Sequence, residues 1–351
     1  MNSAPSPLAH NGCGQAYRKN QLLSMAFLAA LCFVLMITFL FALKAGSYET
    51  PVNELVKGIF GASSDSKINL VVRNNRLPRI CTAMIAGAGL GLSGCIFQAV
   101  LRNPLASAST LGVSQGASFG AAAAIILFGF GASSRMGIPF CAFIGSIAVA
   151  LMILGLSKFK QISPEGIVLS GVAISAMFTG ATTLIQYFAD EVQLASLVYW
   201  TFGDLGNTRW DDVTCMGIIS GFLILYCFIH RWDYNALLSG KETAVSLGIH
   251  VQRLTLINML LCCLASSIIV SNVGLINFIG LVAPHMVRMV IGNNHVYLIP
   301  GSALAGAVLL LLSDLCSRTI VSPVILPIGA ITSFLGGPLF LYLLFKDGNQ
   351  A

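Results

Sequence analysis

Charge is scarce in this chain. Asp, Glu, Lys and Arg make up 9% of its 351 residues, where soluble domains carry roughly 25%, so no large soluble domain is hidden in it. Of the 13 acids, only Asp314 falls inside an apolar run, one turn from Arg318 near the expected outer end. No buried carboxylate is therefore expected to remain for a proton or sodium relay, the usual work of an intramembrane charge. His10, His230, His250, His285 and His295 are all expected in inner segments or at inner span ends. A path that strips and coordinates a bare transition metal wants imidazole, thiolate or carboxylate near the midplane, so such a carrier is disfavoured. An intramembrane hydrolase lacks a base for the same reason. The 10 cysteines include no CxxC pair and no Cys/His ligand spacing; they read as small core residues, and no metal site is expected. A phosphate loop is missing as well. Gly240-Lys241-Glu242 has neither the Ser/Thr after the lysine nor a glycine five residues before Gly240. If transport is active, its energy comes from another polypeptide.

What the chain does have is apolar length: 56% hydrophobic residues, 35 glycines and a mean hydropathy of +0.85. At about 20 residues per span this accommodates about ten membrane helices. The apolar runs place them at 22–45, 77–100, 112–130, 136–156, 165–189, 212–230, 254–272, 275–292, 297–317 and 326–345. Residues 1–20 read as an N-terminal tail, 21–346 as one all-α integral membrane domain and 347–351 as a C-terminal tail. The run from Leu22 to Leu43 behind Arg18-Lys19 is too long for a signal-peptide core and reads as a retained first span. Ten spans put both termini on one side. Lys and Arg divide almost evenly between the two sides, so the positive-inside rule barely orients the chain. Arginines on the expected outer face are then unusual.

Local signals punctuate the spans. Ser163-Pro164-Glu165 supplies a cap, a proline for the first helical position and an acid for the positive end of the dipole. Asn103-Pro104 stops the second span, because a residue before proline avoids the helical region. Small residues recur every four positions at Ala83, Gly87 and Gly91 and again at Gly112, Gly116 and Gly120, a pattern that lets helix backbones approach closely in lipid. The longest polar interruption, Arg231 to Arg253, contains Ser239 three residues ahead of Glu242, a capping-box spacing that predicts a helix of about two turns from Gly240. Leu247-Gly248 supplies its stop. So short a helix is marginal without packing partners. It reads either as an ordinary capped loop helix or as the place where an external partner pushes.

Taken in order, several stretches resemble the FecCD-type permeases of bacterial ABC importers for iron-siderophores, haem and vitamin B12. They are Arg76-Leu77-Pro78-Arg79, Arg102-Asn103-Pro104-Leu105-Ala106, Leu111-Gly112-Val113-Ser114, Ser170-Gly171-Val172-Ala173, Phe278 to His285 with Arg288, Asp314 with Arg318, and Leu326-Pro327-Ile328-Gly329. The likeness runs from about Leu22 to Lys346. Two stretches depart from it: Asn294-His295-Val296 replaces a charged triplet, and Trp200 to Gly206 is more acidic than the family's form.

The resemblance implies a type II importer permease that forms a homodimer of ten-helix subunits in the cytoplasmic membrane, with both termini cytoplasmic. Its expected partners are two ATPase subunits, an extracytoplasmic substrate-binding protein and membrane lipid, with no nucleic acid. The chain is expected to bind no cofactor and to be no enzyme, ATP-Mg being held by the ATPases. Within a coupling segment at 233–252, Ser239, Gly240, Glu242, Ala244, Leu247 and Gly248 are the expected ATPase contacts. Arg76, Arg79 and Arg318 are the expected docking residues for the binding protein. Asn103, Leu105, Ser163, Pro164 and Glu165 are expected at a cytoplasmic gate, and Ser170, Ala173, Met177 and Gly180 along the path. The expected cargo is an iron-siderophore or related chelate, with haem or corrinoid as the alternative. A secondary transporter or channel is the rival class. The missing carboxylate relay and the lack of an inverted pair of broken helices count against it.

Overall fold

The computed structural model describes residues 7–46, 50–63, 65–131, 136–160 and 163–348. Glu49, Arg135 and parts of both expected tails, 1–6 and 349–351, lie outside them. Among the described residues the chain is helical, with no strand. Ten apolar helices carry the fold. They are α1 (Pro7–Lys44), α4 (Leu77–Val100), α5 (Val113–Ala122), α6 (Gly137–Lys160), α7 (Pro164–Tyr187), α9 (Trp210–Ile229), α12 (Val251–Val273), α13 (Ile279–Ile291), α14 (His295–Thr319) and α15 (Ile328–Gly348). Seven of the apolar segments are long enough to cross a membrane, and Val113–Leu127, Ile279–Ile291 and Ile328–Tyr342 are shorter.

Five short helices lie between them: α2 (Val52–Ile59), α3 (Ser66–Val71), α8 (Glu191–Thr201), α10 (Arg231–Leu238) and α11 (Lys241–Ser246). Of these only α11 corresponds to a helix expected from the sequence. A π turn, Val72–Arg76, joins α3 to α4, and a second, Ala123–Leu127, ends α5.

The centre of the bundle is α4, which packs on α9, α12, α13 and α14. Its glycines explain why. A Cβ on Gly87 would meet the Gly306 carbonyl, one on Gly91 the Ser302 carbonyl and one on Gly94 the Gly280 carbonyl. Backbone therefore lies directly on backbone, and van der Waals contact does the work that water exclusion does in soluble proteins. The stripe on α5 does the same against α6, where Gly116 faces Gly145 and Gly120 faces Cys141. By contrast, α1 and α7 lie outside this packed centre and leave large apolar side chains such as Phe33, Leu169 and Met177 exposed.

Two expectations need correcting. Ser239 does not cap α11: it is the C-cap residue of α10, and its carbonyl accepts the Thr243 hydroxyl at 3.1 Å. Gly240, at φ 116°, takes the cap position of α11 with no side-chain bond. Such a backbone is open to glycine and strained for other residues, so backbone geometry rather than a capping box starts the helix. A true capping box stands at α8 instead. There Asp190 accepts from the Gln193 N–H at 2.8 Å, and Gln193 accepts from the Asp190 N–H at 3.1 Å. Second, the expected eighth span starts only at Ile279, and His285 sits in mid-helix rather than at an inner end, buried against the Phe340 ring. The residues before it, from Gly274 to Phe278, are unwound. Gly274 and Phe278 both have positive φ, and Gly274 lies against the Trp200 carbonyl.

Candidate coupling and transport site

At one end of the bundle α1 stops at Lys44, leaving its last carbonyls without helical partners. Guanidiniums take them. Arg76 donates to the Leu43 carbonyl at 2.9 Å, and Arg318 donates to the Ala45 carbonyl at 3.0 Å. Cations are favoured at this negative end of a helix dipole. Beside them Asp314, fully buried, receives Arg79 at 2.7 Å on one oxygen and lies 2.9 Å from Arg318 on the other. The carboxylate expected inside a span beside Arg318 is thus buried and paired with it, and Arg79 is a second partner that the sequence reading did not include. Arg76 and Arg79 are 5% and 6% exposed. All three expected docking arginines thus come together in one cluster, with their guanidiniums engaged inward. Outside them, Arg73 is exposed and lends its carbonyl to the Trp210 indole N–H at 2.9 Å.

At the opposite end lie α10 and α11. The turn after α11 forms as expected, with Gly248 at φ 84°. Its N–H reaches the Val245 carbonyl at 2.9 Å, and the Ile249 N–H reaches the Ala244 carbonyl at 3.0 Å, which is the Schellman pattern of a glycine-terminated helix. Ala244 is the one buried residue of α11 and anchors it on the core. The rest faces outward: Glu242, Val245, Gly248 and Leu247, the last 66% exposed. Leu238 and Trp232 on α10 are exposed as well. This is a patch of apolar side chains on a surface of polar backbone and charge.

Residues that sequence reasoning did not single out fasten α10 to its neighbours. The Tyr234 hydroxyl donates to Asn258 of α12 at 2.6 Å, both groups being buried. Burial raises the Tyr234 phenol pKa, so the group stays a donor. Asn235 donates to Asn294 at 3.0 Å and accepts from the His295 N–H at 2.8 Å, which ties α10 to the start of α14. Arg102, just past α4, donates to the Leu237 carbonyl at 3.0 Å. It does so from positive φ, 47°. The local sequence hints were Asn258 inside a span, Asn235 within the polar interruption and Asn294 ahead of the ninth span.

Arg102 also begins the loop expected to gate the path. Asn103 closes that loop by accepting from the Leu105 N–H at 2.9 Å, and the Thr110 hydroxyl donates to the Leu105 carbonyl at 3.0 Å. Leu105 is exposed. At the start of α7, Ser163 caps the helix by accepting from the Gly166 N–H at 3.2 Å, Pro164 opens it, and Glu165 lies within electrostatic range of Arg102. The two expected gate segments are therefore neighbours. The loop also packs on α7, where Gly171 leaves room for the Thr110 and Leu111 backbone. Along α7, Ala173, Met177 and Gly180 lie on an exposed face, while the half-buried Ser170 hydroxyl donates to the Gly166 carbonyl.

Between the end of α4, α10, α13 and α14 opens a cavity of about 340 Å³ that includes Arg102, Asn103, Leu238, Arg288 and Asn293 in its walls. Among the described residues no group of His, Cys, Asp or Glu is placed to hold a metal ion.

Residues 34–346 match the FecCD transport family. The chain belongs to that family. It is 46% identical over 341 residues to the ABC transporter permease protein MJ0087 of Methanocaldococcus jannaschii, covering 95% of this chain and 97% of that one. With the Fe(3+)-citrate import system permease protein YfmE of Bacillus subtilis it shares 35% identity over 336 residues, 95% and 98% of the two chains. A solved chain described as a metal-chelate type ABC transporter in an inward-facing conformation superposes with a TM-score of 0.79 at 29% identity, covering 91% of this chain and 98% of that one. This FecCD chain is accordingly a multi-pass membrane protein with the all-helical permease fold, and its relatives are transport subunits rather than catalysts.

Proposed function

We propose that the chain is the permease subunit of an importer for an iron chelate, working in the cytoplasmic membrane as a homodimer with both termini inside. The Fe(3+)-citrate relative and the metal-chelate structural neighbour support that cargo class. Two separate ATPases press on Glu242, Leu247 and Gly248 of the coupling segment, which Ala244 anchors from beneath, and a loaded binding protein docks at the opposite end. The observation that carries this reading is the α10–α11 pair. It has an exposed apolar patch for a partner on one side, and on the other hydrogen bonds to α12, α14 and the Arg102 loop. A push on α11 is passed through α10 to the gate at Asn103, Leu105 and Ser163 to Glu165, and so to α7, whose Ser170, Ala173, Met177 and Gly180 line the path.

The docking role of Arg76, Arg79 and Arg318 takes a particular form in this reading. Just under the outer surface their guanidiniums hold the end of α1 and Asp314 in place, while exposed Arg73 makes the direct contact with an acidic docking face. The test is ATP-driven uptake by the assembled complex in vesicles, offering ferric citrate, a ferric hydroxamate, haem and cobalamin in parallel. Uptake of a ferric chelate that needs ATP and the binding protein supports the proposal; ATP-independent flux defeats it.

A further inference from the structure

The cavity beside α10 is lined by two cations with no counter-ion among the described residues. Arg102 and Arg288 both line it, and none of its lining residues is acidic. A guanidinium carries five N–H donors. Arg102 spends one on the Leu237 carbonyl, and Arg288 spends one on the Gln98 amide oxygen at 2.8 Å. Both acceptors are neutral. Among the described residues neither arginine forms an ion pair, and Glu165, exposed at the surface, acts on Arg102 only at range. Cations near helix C-termini are often explained by the helix dipole. Arg102 fits that account, since it is exposed and the Leu237 carbonyl it holds lies at the end of α10. Arg288 does not: it is partly buried and donates to a side chain on α4, and partly buried charge without an opposite charge is costly.

We propose that this cavity binds a phosphate group, supplied either by an anionic phospholipid headgroup or by free phosphate. Donor-bearing residues line it from separate elements, Arg102 after α4, Arg288 on α13 and Asn293 before α14, and guanidinium forks match the oxygens of a phosphate group. Since Leu237 forms part of the wall, a bound phosphate stiffens the joint between α10 and the gate loop. That consequence rests on the coupling role proposed above, whereas the binding itself does not.

Thermal melting of the purified full-length chain separates the two, because it needs neither ATPase nor cargo. Sodium phosphate and short-chain phosphatidylglycerol are titrated separately against sodium chloride of matched ionic strength. A rise in melting temperature with either probe supports the site, and the probe that acts names the source. In Arg288→Gln the apparent affinity falls roughly tenfold, the loss of one charge-assisted hydrogen bond. Asn293→Asp supplies a counter-charge from within, so it raises the melting temperature without ligand and abolishes the response. No response in the unaltered chain, or an equal response in both variants, overturns the proposal. If phosphate binds but transport is indifferent to Arg288→Gln, the site stands and the coupling consequence falls.

Discussion

The two ends of this bundle solve the same problem with different chemistry. At the end proposed as the outer one, the orphan carbonyls of α1 and a buried aspartate are held by charge, with Arg76, Arg79 and Arg318 gathered on the Leu43, Ala42 and Ala45 carbonyls and Asp314. At the end proposed as the inner one, α10 is held mainly by neutral groups, a phenol on an amide and amides on amides, with one guanidinium, Arg102, on its Leu237 carbonyl. Buried charge pairs are costly to break because each partner left behind is desolvated. Neutral hydrogen bonds have smaller net worth, about 0.5–1.5 kcal/mol each. The outer end is thus built as a clamp, and the inner end as a joint whose bonds are exchangeable.

Breaking the clamp should have the largest effect on stability. Asp314→Asn leaves Arg79 and Arg318 buried without a counter-charge and should cost about 3–5 kcal/mol, read as a fall in melting temperature or in the yield of folded protein. Restoring neutrality with Arg79→Met in the same chain should recover much of that loss. If the double variant is no better than the single, the aspartate matters for packing rather than for charge.

Next comes the joint. Tyr234→Phe strips one hydrogen bond and strands the Asn258 oxygen in the core, for about 1–3 kcal/mol. Because Tyr234 links α10 to α12, the ratio of ATP hydrolysed to substrate moved should also rise. Unchanged coupling with reduced stability would make Tyr234 a packing residue. Arg102→Gln removes the tie from the gate loop to the Leu237 carbonyl and should cost about 1 kcal/mol or less, since the residue is exposed. Basal ATPase activity of the assembled complex without binding protein is the sensitive readout, and it should increase.

This contrast was only partly legible in the sequence. Spans follow from apolar length, and the start of α7 from Ser163 and Pro164, because the forces that decide them act within a few residues. The pairing of Arg79 with Asp314 spans most of the chain and has no local signature; the sequence displayed only the Asp314–Arg318 half of it. The inner joint was located by its polarity, yet its working parts were not. Ser239-x-x-Glu242 has the spacing of a capping box, but α10 runs up to Ser239 and commits its backbone to another helix end, leaving Gly240 to start α11. The helices α2, α3 and α10 escaped because short surface helices are fixed by tertiary contacts rather than by apolar length, whereas α8 did carry a local signal, the Asp190-x-x-Gln193 capping box.

The smallest effect on stability should accompany the largest on coupling. Leu247 follows the last turn of α11 and is two-thirds exposed, so Leu247→Asp removes no core contact and should alter stability by no more than about 0.5 kcal/mol. In the assembled transporter the same side chain would be buried against an ATPase, where an aspartate is desolvated without a partner. ATP hydrolysis should then persist while uptake fails, with binding-protein affinity at the distant outer end unchanged. Gly248→Ala separates geometry from contact. It keeps the apolar surface but places a Cβ at φ 84°, where it meets no other atom, so the strain of about 1–2 kcal/mol falls on the backbone alone. A coupling defect in Leu247→Asp with near-normal transport in Gly248→Ala would locate the drive in the apolar contact. The reverse order would locate it in the rigidity of the turn, and normal transport in both would leave α11 an ordinary loop helix and α10 a structural brace.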